Sequence, residues 1–243
     1  PHQTAERFAR TLEDVLALNP DRVSLFSYAH LPARFAAQKK IKDEWLPNGE
    51  AKLALMLAAI ETFTSRGYVA IGMDHFAKPT DELAQAQASG LLHRNFQGYT
   101  VKGNCDLLGL GVSAISAIGH LFAQNEKHLK TYYQKIDQHA SALERGLVLT
   151  RDDMIRGALI KQLMCNFRLD VESFEQQWQI EFASYFSKEL ANLGPFIEDN
   201  LVVANETELA ILPSGRLLVR TICMTFDSYM AKQVNQQRFS RVI

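Results

Sequence analysis

Hydrophobic positions in the first 75 residues alternate between the spacing of helices and that of strands. Apolar residues recur at helical spacing across residues 8–16 and again across residues 53–63. Residues 23–28 and 68–72 are short runs of β-branched, aromatic and aliphatic side chains, typical of strands buried on both faces. Helices that alternate with continuously apolar strands predict a parallel α/β sheet or barrel.

The middle of the chain, from about residue 73 to residue 119, keeps no helical period for long and is rich in glycine. Short pieces with β-propensity lie at residues 98–101 and 111–116. A long irregular stretch is usually functional or disordered, and this one is too apolar and aromatic for disorder. We therefore expect loops that build a site, with one or two short strands.

Helical patterns return after about residue 125. A helix with a polar face is predicted at residues 127–140. Thr150 and Asp153 have the spacing of a capping box ahead of an apolar stripe. The aromatic residues between 174 and 185 continue a helical face.

The last third ends with two short strands and one more helix. The strands are predicted at residues 201–203 and 209–212, and Ser214 opens the helix. This order predicts a mostly helical domain with a small hairpin like that of a winged helix. The domain boundary is placed near residue 148, which gives domains at residues 1–148 and 149–243.

Composition narrows the classes of function. The chain has 243 residues, of which 47% are hydrophobic and 22% charged, enough for a large core. With 26 Lys and Arg against 27 Asp and Glu, the net charge of −1 argues against non-specific nucleic-acid binding. No apolar run reaches the roughly 18–20 residues of a membrane span. These features predict a soluble, cytoplasmic protein without a nucleic-acid or membrane partner.

The cysteines and histidines are the first candidates for metal ligands. Cys105, Cys165 and Cys223 are far apart in sequence and form no C-x-x-C pair, so neither a disulfide framework nor a cysteine-only metal site is expected. Three histidines and one aspartate in the first half could form a metal site, namely His30, Asp74, His75 and His93. Their spacing matches no metal motif, and hydrogen-bonded loop histidines are the favoured interpretation.

Two further segments carry candidate chemistry. Residues 93–99 combine a cation, amides and aromatics, which suit a planar ligand with a carboxylate, although a surface turn explains the mixture equally well. Residues 109–116 look like a phosphate loop but lack its Gly-Lys-Ser/Thr ending and the third glycine of a dinucleotide-binding motif. A strand with small residues, where a ligand or a backbone approaches closely, explains them better.

Basic residues in the last domain raise the alternative of a DNA-binding winged helix. They are Arg216, Arg220, Lys232, Arg238 and Arg241. Acidic neighbours, among them Glu206 and Asp227, dilute this charge, so a solvated or packing face is favoured.

Several long motifs, in one order, resemble the oxygen-independent coproporphyrinogen III oxidase family. They are residues 28–32 (Tyr-Ala-His-Leu-Pro), 71–77, 92–100 (including Asn-Phe-Gln-Gly-Tyr), 106–115, 166–170 and 239–243. The resemblance covers essentially the whole chain. A related family, the heme chaperone-like proteins, is less similar in the Asn-Phe-Gln-Gly-Tyr segment and is the alternative.

The resemblance implies a radical S-adenosylmethionine enzyme of heme biosynthesis. Members hold a [4Fe-4S] cluster on a Cys-x-x-x-Cys-x-x-Cys motif, bind two S-adenosylmethionine molecules, and oxidatively decarboxylate two propionates of coproporphyrinogen III to vinyl groups. This sequence contains no such motif. We therefore expect the C-terminal part of a TIM-like radical SAM barrel followed by the helical domain, inactive alone and binding no cofactor alone.

The resemblance also assigns residues. Ile115 corresponds to a contact of the cluster-bound S-adenosylmethionine, Ala29 to a contact of the second one, and Phe96 and Gln97 to a loop near both. That Arg94 clamps a substrate propionate is our own hypothesis, from charge and position. The whole enzyme is expected to be a monomer, while an incomplete barrel with uncovered apolar edges is expected to self-associate.

Overall fold

The computed structural model describes residues 1–103 and 105–230, which form two compact units. The first contains Pro1–Gln85 and the described residues from Ser228 onward, and the second is Ala86–Asp227. The predicted domain boundary near residue 148 rests on a change in sequence pattern and stays a prediction.

The first unit combines two long helices with three short strands. Its helices and strands are α1 (Ala5–Ala17), β1 (Arg22–Ser24), α2 (Gly49–Ser65), β2 (Val69–Gly72) and β3 (His75–Ala77), with 3₁₀ turns at Ala36–Lys40 and Asp43–Trp45. Thr4 and Asn48 cap the two helices, since each side-chain oxygen accepts a hydrogen bond from a first-turn amide. Both helices agree with the apolar spacing.

The core of the first unit lies between these helices and the strands. Phe8 and Leu12 of α1 are buried against Phe63 of α2, and the ring of Phe63 lies 4.7 Å from that of Phe76 in β3. Tyr68 is also buried, and its hydroxyl donates to the carbonyl of Pro20 at 2.6 Å. The predicted second strand forms as β2, in which Ile71 and Gly72 are buried and Val69 and Ala70 half-buried.

The strand pairing differs from the predicted parallel sheet. The strand order is β1-β3-β2, and β3 pairs antiparallel with both neighbours, with Val23 and Ala70 each opposite Phe76. The strands β1 and β2 therefore run parallel but do not touch. The cause is a tight turn after β2, at which Met73 takes a φ of +49° and the chain returns at once as β3.

The first predicted strand is also shorter than expected. The pattern at residues 23–28 predicts a strand buried on both faces, but β1 ends at Ser24 and Val23 is only half-buried. Phe26 is 68% exposed and Tyr28 is 42% exposed. The register continues one residue further, since the amide of Leu25 donates to the carbonyl of Asp74, and there the partner strand gives way to the turn after β2.

The second unit begins with a hairpin and a three-stranded antiparallel sheet. Helix α3 (Glu82–Ala88) runs across the division between the units, and the hairpin is β4 (His93–Asn95) with β5 (Gly98–Thr100). The sheet has the order β6-β7-β8, from β6 (Ile115–Ile118), β7 (Leu121–Asn125) and β8 (Leu143–Val148), with α4 (Leu129–His139) between the last two strands. The predicted helix at 127–140 is confirmed.

The rest of the second unit is mostly helical, as predicted. Its elements are α5 (Arg151–Asn166), β9 (Arg168–Asp170), α6 (Val171–Trp178), α7 (Phe182–Tyr185), α8 (Ser187–Asn192), α9 (Gly194–Glu198), β10 (Val202–Ala204), β11 (Glu208–Ile211), a 3₁₀ turn at Pro213–Leu218 and α10 (Val219–Met224). Thr150 and Asp153 form the predicted capping box of α5. The predicted hairpin is β10–β11, and β9 joins it as a third, unpredicted strand.

Two predicted helical faces are interrupted. The aromatic face at residues 174–185 breaks at Gln179, whose φ of +52° ends α6 before α7 begins. The last helix starts as a 3₁₀ turn and becomes α-helical only at Val219. The basic residues Lys232, Arg238 and Arg241, and the motif at residues 239–243, lie outside the described residues.

Candidate functional site

The glycine-rich segment at residues 107–114 is bound along its length to the sheet β6-β7. Leu107 and Ala117 exchange two backbone hydrogen bonds of 2.8 Å, and the amide of Gly109 donates to the buried hydroxyl of Ser116 at 2.9 Å. The side-chain amide of Asn125 donates to the carbonyl of Gly111 at 2.9 Å. The segment is therefore a fixed ledge on the sheet, which we call the glycine ledge.

Glycine is required at the centre of this ledge. A Cβ atom on Gly109 would lie 2.7 Å from the carbonyl oxygen of Ile115, closer than non-bonded atoms approach. Gly111 takes a φ of +99°, and Ser113 one of +61°, so residues 111–114 form a loop. The strand predicted at 111–116 therefore begins only at Ile115. The expected close approach of two backbones is confirmed.

Glu126 fixes the far end of the ledge. Its carbonyl accepts from the amide of Ser113 at 2.8 Å, and its buried carboxylate pairs with Lys135 at 3.0 Å. The hydrogen bond from Lys135, helped by the amide of His128, holds the pKa of Glu126 below its usual value. Because this carboxylate stays ionised at neutral pH, the end of the ledge is held by a charge-assisted contact.

The ledge carries aliphatic side chains that face outward from the unit. Leu108 is 68% exposed and Leu110 is 83% exposed. Val112 is exposed as well, and Ile115, at the start of β6, is half-buried. A loop with a bound backbone and bare aliphatic side chains offers an apolar surface to a ligand or to another part of a protein.

The hairpin β4–β5 brings Phe96 to the same sheet. The carboxamide oxygen of Asn95 accepts from the amide of Gln97 at 2.8 Å, and Gly98 has a φ of +123°, so the turn is tight. The ring of Phe96 lies 5.1 Å from that of Phe122 on β7, edge to face, and is half-exposed. Of the predicted site residues, Phe96 thus lies against the sheet that carries Ile115, and Gln97 is exposed beside it.

Arg94 lies on the same hairpin, in contact with its cross-strand partner. Its guanidinium lies 5.0 Å from the centre of the Tyr99 ring, a cation–π contact. Two hydrogen bonds between Leu92 and the side chain of Asn166 anchor the hairpin to α5. The group that we expect to clamp a carboxylate is therefore positioned by an aromatic ring and a fixed hairpin.

In the first unit, Ala29 belongs to a segment that one glutamine holds in place. The side chain of Gln38 donates to the carbonyl of Ala29 at 3.1 Å and accepts from the amide of Leu31 at 2.6 Å. Nothing in the sequence pattern points to Gln38. Like Ser116 and Asn125, it acts through contacts that only the folded chain forms.

The candidate histidines have hydrogen-bonding neighbours. His30 lies 3.3 Å from the carboxylate of Asp43 and 3.5 Å from the hydroxyl of Tyr28. The Nδ1 atom of His75 lies 2.7 Å from the carboxylate of Asp74. In residues 1–103 and 105–230 no three His, Cys, Asp or Glu side chains lie close enough together to hold a metal ion.

His93 belongs to the second unit and packs against the backbone of Gly103. A Cβ atom on Gly103 would overlap the ring of His93, so glycine is needed at that position. This close packing supports the favoured interpretation of His93 as a structural residue of the loops.

The three cysteines form no disulfide and differ in exposure. Cys105 is exposed, whereas Cys165 and Cys223 are buried. Burial raises the pKa of Cys165 to about 11 and that of Cys223 to about 12. Both buried thiols are therefore protonated at neutral pH, unlike the thiolates that bind metals.

Comparison with solved structures defines the class of protein. The chain matches coproporphyrinogen III oxidase (HemN) from Escherichia coli, described as a radical SAM enzyme, with a TM-score of 0.91 and 57% sequence identity. The match covers 94% of this chain and 53% of that one. The predicted fold class, α/β and of the radical SAM type, is confirmed.

Comparison with curated proteins identifies the family. Proteins named oxygen-independent coproporphyrinogen III oxidase are 56% identical in Escherichia coli K12 and 49% identical in Pseudomonas aeruginosa, each over all of this chain. The protein of that name from Thermostichus vulcanus is 43% identical, and this chain covers 75% of it. The chain belongs to the oxygen-independent coproporphyrinogen III oxidase family.

Two further findings bound what family membership means here. The family model of the HemN C-terminal domain matches residues 149–218. The chain spans about half the length of the Escherichia coli and Pseudomonas aeruginosa relatives, 53% in both cases.

Among the helices of the described residues, none has the length and apolar character that a membrane span requires.

Proposed function

We propose that this chain serves in the oxygen-independent oxidation of coproporphyrinogen III to protoporphyrinogen IX. The observation that carries the proposal is 56% identity, along all 243 residues, to an enzyme named for that substrate. In this reaction each of two propionate side chains becomes a vinyl group. Each loses one carbon dioxide, one hydrogen atom from the β-carbon and one further electron.

S-adenosylmethionine would supply the hydrogen-abstracting radical in this chemistry. Four residues of this chain have side chains or backbone against which S-adenosylmethionine could pack. Ile115 and Phe96 present apolar surface on one sheet, and Gln97 adds an amide beside them. Ala29 is small and half-buried, so a ligand could approach its backbone closely. We propose these four as cofactor contacts, made by packing and backbone hydrogen bonds.

The described residues do not suit a [4Fe-4S] cluster. The three cysteines form no group with one another or with His, Asp or Glu, and two of them are buried thiols. Cluster ligation is therefore not among the roles that we propose for these residues.

In this reaction the chain would provide an apolar surface that excludes water and a cation that binds a carboxylate of the substrate. The exposed aliphatic residues of the glycine ledge, with Phe96 nearby, would exclude water from a radical formed on a propionate. Arg94 would bind the carboxylate of that propionate before carbon dioxide leaves. We also propose a monomeric, cytoplasmic enzyme whose partner is the porphyrinogen, without nucleic acid or membrane.

The function is tested by exchange of segments. In a chimera, this chain replaces the matching 53% of the Escherichia coli enzyme. The chimera is expressed in a strain that lacks its own coproporphyrinogen oxidases, and anaerobic growth of that strain is measured. Growth without added heme supports the proposal. A folded chimera that binds porphyrin but never restores growth would favour the heme chaperone-like alternative.

The role of Arg94 is tested in the same chimera. Arg94→Ala should raise the KM for coproporphyrinogen about tenfold or more, while cleavage of S-adenosylmethionine persists, because the proposed carboxylate contact is lost and the proposed cofactor contacts are kept. Arg94→Lys keeps the charge but cannot form the bidentate contact. Its KM should therefore lie between those of the unaltered chimera and Arg94→Ala. An unchanged KM in Arg94→Ala would remove the proposed clamp.

A further inference from the structure

The first unit contains a cavity of about 310 Å³ that the reaction described above does not use. It lies between α1, the segment after β1 and the start of α2. Its walls are largely apolar and include Phe8, Leu25, Phe26, Tyr28, Leu55 and Met56. The volume is at the lower end for ligand pockets, which suits a small ring with one side chain rather than a whole tetrapyrrole.

Lys52 is the charged side chain that lines this cavity, and the first residue of the chain, Pro1, also borders it. Within residues 1–103 and 105–230, no Asp or Glu belongs to the lining. Among the described residues, the ammonium group of Lys52 has neither a hydrogen-bond nor an ion-pair partner. A half-buried lysine next to apolar walls and without a carboxylate favours an anionic ligand.

The position of Lys52 in its helix strengthens this argument. Lys52 is the fourth residue of α2, within its first turn, where the free amides already create a positive potential. Glu50 in the same turn offsets part of this potential but does not line the cavity, so an anion in the cavity would still be attracted by Lys52 and the helix end. The lysine and the helix end thus favour the same kind of ligand, a carboxylate.

Two exposed aromatic rings border the same cavity. Phe26 and Tyr28 are 68% and 42% exposed, and both follow β1 after its pairing has ended. Tyr28 directly precedes Ala29, the proposed contact of the second S-adenosylmethionine. Exposed aromatic rings at the mouth of an apolar cavity provide faces on which a flat ring can stack.

We propose that this cavity is a subsite for one propionate-bearing pyrrole ring, with Lys52 bound to the carboxylate and Phe26 and Tyr28 against the ring. The identification of the ring as a pyrrole rests on the proposed function. S-adenosylmethionine itself suits the cavity less well: its carboxylate could pair with Lys52, but its sulfonium and ammonium groups would be repelled by Lys52 and would find no Asp or Glu among the described lining residues. A plain carboxylate on an apolar ring meets no such repulsion.

The first test uses the 243-residue chain and a small probe. Binding of pyrrole-3-propionate and of its uncharged amide is measured by ligand-observed NMR. The variants are Lys52→Gln and, as a matched control, Lys40→Gln, an exposed lysine of the 3₁₀ turn at Ala36–Lys40. Circular dichroism confirms that each variant is folded.

The chain and Lys40→Gln should bind the propionate with equal affinity, and Lys52→Gln about tenfold more weakly. The amide should bind the chain and Lys52→Gln alike. Equal affinity of all three proteins for the propionate would overturn the subsite, and so would the absence of propionate binding by the unaltered chain.

A second measurement separates this subsite from the proposed function. In the chimera, Lys52→Gln should raise the KM for coproporphyrinogen several-fold with kcat little changed. If the chimera turns over and Lys52→Gln leaves KM unchanged, the subsite is wrong and the function stands. If the chain binds the propionate through Lys52 but the chimera forms no product, the function is wrong and the subsite stands.

Discussion

A single arginine, Arg156, contacts several elements of the mostly helical part of the second unit, the helical module. The guanidinium of Arg156, on α5, pairs with Asp152 at 2.9 Å and with Glu189 of α8 at 2.7 Å. It also donates to the carbonyl of Phe226, after α10, at 3.1 Å, and lies 5.4 Å from the centre of the Phe186 ring. These carboxylate hydrogen bonds raise the pKa of Arg156 although burial opposes them, so the group stays charged.

Replacement of Arg156 should therefore destabilise the module strongly. Arg156→Met leaves the largely shielded carboxylate of Glu189, whose side chain is 16% exposed, without its partner, which should lower the free energy of unfolding by roughly 3 kcal/mol in urea denaturation. Arg168→Met is the control, since its ion pair with Glu208 is largely exposed on the arginine side and should contribute less than about 1 kcal/mol. Equal losses in the two variants would contradict this account.

The three cysteines should react at very different rates. Cys105 is exposed, whereas burial of Cys165 and Cys223 raises their pKa and blocks access to reagents. At pH 8 an aromatic disulfide reagent should modify about one thiol per chain quickly, and the other two only after denaturation. Cys105→Ser should abolish the fast phase, and two or more fast thiols in the unaltered chain would show that the buried cysteines are accessible.

At the scale of residues, the sequence identifies the side chains that present the candidate site better than the side chains that hold its loops in place. The motifs point to Phe96 and Ile115. The structure places Ile115 at the start of β6 and the ring of Phe96 against Phe122 of β7, in the same sheet. The residues that hold the loops, Gln38 and Asn125, escape detection because a single polar side chain has no periodic pattern. Their partners are backbone groups seven or more residues away, which only the folded chain brings close.

At the scale of elements, two glycines should respond in opposite ways to alanine. Gly109→Ala would force a Cβ atom against the backbone of Ile115 and should cost about 1–3 kcal/mol of unfolding free energy. A methyl group on Gly157, inside α5, would meet no heavy atom within 4 Å beyond its own helix, so Gly157→Ala should stabilise by about 0.5–1 kcal/mol. Urea denaturation measures both, and stabilisation by Gly109→Ala would show that the ledge is not closely packed.

Helices are predicted better than strand pairings. The apolar spacing at residues 8–16 and 53–63 and the capping box that begins at Thr150 are local signals, and all three helices form where expected. Strand partners depend on the whole fold, so the insertion of β3 between β1 and β2 leaves no local trace. The left-handed residue Gln179 is equally hard to foresee, because glutamine rarely takes that conformation.

At the scale of the whole molecule, the second unit exposes an apolar edge. All six residues of β8 are exposed, and β8 is the terminal strand of its sheet. Leu143, Leu147 and Val148 are each about half-exposed or more. An open edge strand with apolar side chains favours pairing with another chain.

We therefore expect the 243-residue chain to self-associate. Sedimentation velocity should show a weight-average mass that rises with concentration, and Leu147→Lys should weaken the association about tenfold by placing a charge on the edge. Leu18→Lys, an equally drastic change at an exposed leucine after α1, should have little effect. A monomer at every concentration would refute the prediction.

The central claim is that this chain supports coproporphyrinogen oxidation, and the products of the purified chimera test it most directly. Anaerobic reaction with coproporphyrinogen III, S-adenosylmethionine and a reductant is followed by chromatography of the porphyrinogens and capture of carbon dioxide. We expect protoporphyrinogen IX and two molecules of carbon dioxide for each coproporphyrinogen consumed. A folded chimera, loaded with its cluster, that cleaves S-adenosylmethionine yet releases no carbon dioxide would contradict the claim.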